Sequence, residues 1–77
     1  MSISPVKVDQ FTVTDLPEPK PERDGRIRCG QHVTVLPGDG RLHVVGFGYT
    51  SGALAMQLAR ELLAGYCVME QDKAARA

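Results

Sequence analysis

The chain is predicted to be an α+β domain: a three-stranded antiparallel sheet in β-β-β-α order, with one C-terminal amphipathic helix packed on one face. Three observations predict this. Residues 26–36 and 41–50 alternate apolar and polar side chains on either side of the turn sequence Pro37-Gly38-Asp39-Gly40. Val, Thr and Phe crowd residues 6–16, and leucines recur at Leu54, Leu58 and Leu62 with helical spacing. At 77 residues the chain forms a single domain over 1–77, of a size that buries only about 60% of its unfolded surface. Such small cores are often completed by association, so a homodimer is one expectation.

In residues 6–16, Val6 and Val8 differ in parity from Phe11 and Val13, so a single strand there needs a bulge near Asp9-Gln10. Residues 17–25 read as a stiff loop. Pro17, Pro19 and Pro21 hold an extended path, and Asp24-Gly25 turns the chain. If the four turn residues close the hairpin, Val35 lies opposite Leu42, Val33 opposite Val44, Gln31 opposite Gly46 and Cys29 opposite Gly48. The other side then pairs Thr34 with His43, His32 with Val45, Gly30 with Phe47 and Arg28 with Tyr49. Thr50-Ser51 offers an N-cap for a helix over about 51–73. Running through Gly65 costs about 1 kcal/mol and is preferred to a stop there followed by an extra strand over 66–69. Leu54, Leu58 and Leu62, flanked by Ala55 and Ala59, are expected to face the sheet where Gly46 and Gly48 thin it.

The composition disfavours several function classes. Nine basic and nine acidic residues cancel, which lacks the electrostatic footprint of a general nucleic-acid binder. Cys29 and Cys67 make no disulfide framework, and Met1–Pro5 has no charged and apolar leader. With no apolar run long enough for a membrane span, the expectation is a reduced cytoplasmic protein. No catalytic apparatus is visible: neither cysteine has a histidine at a recognisable spacing, and no G-x-S-x-G elbow occurs. Gly46–Gly52 is glycine-rich but lacks the lysine of a phosphate loop. His32 and His43 lack further ligands for a metal. The expectation is a non-enzyme without cofactor or metal.

Three resemblances bear on function. Gly46, Gly48 and Thr50, followed by Leu54, Leu58 and Ala59, are similar to the last strand and helix of double-stranded-RNA-binding domains. The two phosphate-contacting lysines of that family are replaced by Ser51 and Gly52, so this likeness concerns local architecture alone. Gly46-Phe47-Gly48-Tyr49 resembles the aromatic strand of RNA-recognition domains, which implies rings stacking on bases. Glu22-Arg23-Asp24-Gly25-Arg26 and Ala55-Met56-Gln57-Leu58-Ala59 resemble segments of small phage-encoded inhibitors of type I CRISPR surveillance complexes. That likeness implies a compact protein of phage or mobile-element origin that blocks a larger host complex, and it assigns no binding residue.

One helix covers one side of a sheet. The other side of the predicted hairpin carries Arg26, Arg28, His32, His43, Val45, Phe47 and Tyr49, an arginine and aromatic mixture of the kind found at interface hot spots. The expected function is a non-enzymatic protein–protein interaction module that binds a larger host protein through these residues. The alternative is a single-stranded nucleic-acid binder that uses Phe47 and Tyr49 for stacking.

Overall fold

The structure is a computed structural model that describes residues 5–8, 11–46 and 51–76. It is α+β, with six strands in two antiparallel sheets and one C-terminal helix. β1 (Val6–Val8) and β2 (Phe11–Val13) form a two-stranded sheet; β3 (Lys20–Pro21), β4 (Ile27–Cys29), β5 (Val33–Leu36) and β6 (Arg41–Val44) form a four-stranded meander; α1 spans Gly52–Arg76. The predicted three strands are corrected at three places. Val8 pairs with Phe11, so the parity change in the first segment marks a chain reversal and no bulge. Arg28 pairs with Thr34, and Cys29 with Val33, so residues 26–36 are a hairpin that turns at Gly30–His32.

The β5–β6 register agrees with the sequence reading: Val33–Val44, Thr34–His43, Val35–Leu42 and Leu36–Arg41. Val45 N–H continues it by donating to the His32 carbonyl at 2.9 Å. Beyond that, the chain turns at Gly30–His32, so Cys29 faces Val33 and Arg28 faces Thr34, and the predicted partners Gly48 and Tyr49 lie outside the described residues. The expected loop at 17–25 also contains a strand. Lys20 and Pro21 pair with Arg28 and Ile27 at the edge of the meander, where a proline's missing N–H breaks no ladder bond. Asp24-Gly25 does turn the chain. Gly25 has φ 92° and donates to the Glu22 carbonyl, and the Asp24 carboxylate accepts the Arg26 N–H.

Ser51 caps α1: its side-chain oxygen accepts the Leu54 N–H at 3.2 Å and its carbonyl accepts the Ala55 N–H. The helix runs unbroken through Gly65, so residues 66–69 are helical. Its buried residues are Glu61, Ala64, Gly65 and Val68, which pack with Cys29, Val33 and Val35. The predicted buried stripe is thereby rotated. Leu58 is half-buried against the core, whereas Leu54 is 41% and Leu62 36% exposed. Small residues face the sheet because the valines of β5 need the space. A Cβ on Gly65 would sit 3.0 Å from Val33 Cγ1 and 3.3 Å from Leu42 Cδ2. The close approach is therefore made on the helix side, and a Cβ on Gly46 would meet nothing within 4 Å.

Candidate interaction surface

Two helical carboxylates fix how α1 lies on the sheet, and so decide which surfaces remain open. Glu61 and Asp72 are three helical turns apart, on one face. Glu61, only 2% exposed, reaches the β4–β5 turn. Its carboxylate accepts the His32 N–H at 2.7 Å and the Gln57 side-chain N–H at 2.9 Å, with His32 Nδ1 at 3.1 Å. Gly30 (φ 84°) permits this approach, because a Cβ there would lie 2.5 Å from Glu61 Cδ. Asp72 reaches the β5–β6 turn, accepting the Gly38 N–H at 3.0 Å and pairing with Arg76 at 3.1 Å. The helix thus holds β5 by the turns at both its ends.

These contacts shift both carboxyls down. Burial alone would push Glu61 up, but hydrogen bonds from Gln57, the His32 and Gln31 backbone and the His32 ring outweigh it and hold the group below its ordinary value of 4.5. The Gly38 N–H, against a small opposing effect of burial and with help from Arg76, holds Asp72 below 3.8. A folded-state value below the unfolded one adds stability that is complete above the unfolded value and is lost as pH falls through the folded one. The melting temperature is therefore expected to be level from neutrality to about pH 5 and to fall below about pH 4.5. Thermal melts of Glu61→Gln across that range should show a shallower acid limb; an unchanged limb would remove Glu61 from the account.

Clefts of about 640 Å³ beside Asp72 and about 430 Å³ beside Glu61 flank the helix. Both carboxylates already hold backbone N–H groups, so their chemistry there is structural. Cys29 is fully buried; burial, then the Glu61 charge and Cys67, pushes its thiol up to about 11, leaving a poor nucleophile at neutral pH. Among the described residues, no three His, Cys, Asp or Glu side chains converge on a metal-sized site. No helix of the described residues is long and apolar enough to cross a membrane.

Two surfaces stay open among the described residues. On the sheet side away from α1, ladder pairing sets Lys20, Arg28, Thr34 and His43 in one row across four strands, with Leu36 and Arg41 in the next. Arg26, Arg28, His43 and Val45 are exposed there. His32 departs from that group. Its backbone and ring turn to Glu61, and its side chain is only 17% exposed. Phe47 and Tyr49 lie outside the described residues. The arginines are not bare cations, because Arg26 pairs with Asp24 at 3.2 Å, Arg28 with Glu22 at 3.7 Å and Arg41 with Asp39 at 3.8 Å. All three pairs are solvent-exposed and therefore weak in water.

The second open surface is the outer side of α1, where Met56 (48%), Leu62 and Tyr66 (55%) are exposed. Sequence reasoning missed it because it assigned the leucines to the core. The available signal was Glu61, Gln57 and Asp72 sharing a face with Ala64, Gly65 and Val68, leaving apolar residues on both sides of one helix. No family model matches the chain, and neither curated proteins nor solved structures give a match.

Proposed function

We propose that the chain is a non-enzymatic protein–protein interaction module whose partner docks on the open face of the four-stranded sheet. The observation that carries this reading is that, among the described residues, α1 covers one side of the sheet while the other presents Arg26, Arg28, His43 and Val45 beside Lys20, Leu36 and Arg41. Arginines beside aliphatic side chains suit an interface, and each of the three exposed arginine pairs can exchange its carboxylate for one on an acidic partner surface. The finer reading is an inhibitor of a larger host complex, of phage or mobile-element origin. It is supported by the resemblance of residues 22–26, which form the turn between β3 and β4, and 55–59, in the first turns of α1.

A second reading, single-stranded nucleic-acid binding, is favoured by Lys20 and Arg28 lying side by side in the row that continues to His43. One experiment separates the two. Affinity capture from host cytosol should recover a protein that is lost on Arg28→Glu with Arg41→Glu, while anisotropy with labelled oligo-dT and oligo-rU should show only weak association. Micromolar oligonucleotide binding that weakens steeply with salt and disappears in the same double variant would replace the protein reading.

A further inference from the structure

Along α1, Ala55, Ala59, Leu62 and Tyr66 recur at alternating spacings of four and three, flanked by Met56 and Leu63. That is the repeat of a two-helix seam, and it lies away from the Glu61, Ala64, Gly65 and Val68 face that meets the sheet. We propose that this strip is the interface of a homodimer in which two copies of α1 pack antiparallel, Ala59 against Leu62 of the second copy and Ala55 against its Tyr66. The proposal is independent of the open sheet face.

Two observations commit the occupant to a second copy in this orientation. The first is size pattern. The strip is small at its N-terminal end and large at its C-terminal end, so an antiparallel pair sets large against small at each layer, as dense packing requires. A parallel pair would stack Ala55 on Ala55 and Tyr66 on Tyr66, leaving a gap at one end and a collision at the other. The second is charge. α1 has no acidic residue in its first turn, and the same register brings Glu70 of the second copy beside the helix start at Ser51, where a negative charge is favoured. Opposed helix dipoles add in the same sense.

Sedimentation equilibrium of the full chain from about 1 µM to 1 mM should give a mass twice 8.4 kDa at the upper end. Leu62→Glu or Tyr66→Glu should weaken association at least about tenfold while helical circular dichroism stays unchanged, since both side chains are exposed in the monomer. Register is read by oxidising an equimolar mixture of Ala59→Cys and Leu62→Cys chains, each also carrying Cys67→Ser. The mixed disulfide should exceed both like-with-like products. A wild-type chain that stays monomeric overturns the proposal without needing any variant. A dimer indifferent to Leu62→Glu, or like-with-like disulfides in excess, overturns the strip or the orientation.

Discussion

Replacing Glu61 with alanine is expected to destabilise the fold by about 3 kcal/mol, a large fraction of what a domain this small possesses. The figure follows from what the carboxylate does. It is buried and accepts the His32 N–H from the β4–β5 turn, with a second donor from Gln57. Truncation leaves the His32 N–H without its acceptor, at about 1–3 kcal/mol, and opens a hole beneath the turn. Glu61→Gln should cost less, because one carbonyl oxygen can still take the His32 N–H. Gly30→Ala should be at least as damaging as Glu61→Ala, since the new Cβ must sit at φ 84° and 2.5 Å from Glu61 Cδ. The double variant identifies the cause: with Glu61 truncated the steric conflict is gone, so the pair should cost clearly less than the sum of the singles. Urea titrations of the four proteins measure the cycle. Additive losses, or a loss under about 1 kcal/mol for Glu61→Ala, would mean that the turn holds itself without the helix.

This clamp also explains what the sequence concealed. The turn at Gly30–His32 leaves Cys29 and Val33 both pointing inward, because an even number of positions separates them. Period-two alternation therefore runs through the turn without a break, and one glycine is a weak signal beside it. The reversal after Val8 separates Val8 from its partner Phe11 by an odd number, so it shows as a parity change. The β5–β6 hairpin was legible to the residue because Pro37-Gly38-Asp39-Gly40 fixes the loop length and one register satisfies both faces.

The helix was legible in its cap and its length but not in its facing. Three regularly spaced leucines outweigh Glu61, Gly65 and Asp72 in any reading of hydrophobic pattern, and a buried carboxylate is a rare inward residue. The proposed partner surface inherits both outcomes. Arg26, Arg28 and His43 lie on the uncovered side of the sheet, as alternation predicts, because their strands keep parity through the hidden turn. His32, one residue before β5, is drawn to the helix by a carboxylate that no strand pattern registers.

Gly65→Leu is expected to be the most damaging single change on the helix, with a loss of about 3 kcal/mol or more. Helix propensity argues the other way: a leucine in mid-helix is favoured over glycine by about 0.8 kcal/mol. Packing decides the sign. Gly65 is the point where α1 rests on the sheet, with Val33 Cγ1, Leu42 Cδ2 and Val35 Cγ2 all within 3.5 Å of where a Cβ would stand. Three further carbons beyond that Cβ have nowhere to go unless the helix lifts, and lifting it draws Glu61 and Asp72 off their two turns together. Gly65→Ala is the informative control. Its single methyl meets Val33 at 3.0 Å, so the propensity gain and the steric cost should leave it within about 1 kcal/mol of wild type. In a Val33→Ala background the tightest contact is removed and Leu42 Cδ2 at 3.3 Å remains, so Gly65→Ala should then be clearly more favourable than it is in the wild-type background. Chemical denaturation of these variants gives the test directly. If leucine is accepted at 65 without loss, α1 does not sit on β5 through that glycine, and the outward facing of Leu62 and Tyr66 would fall with it.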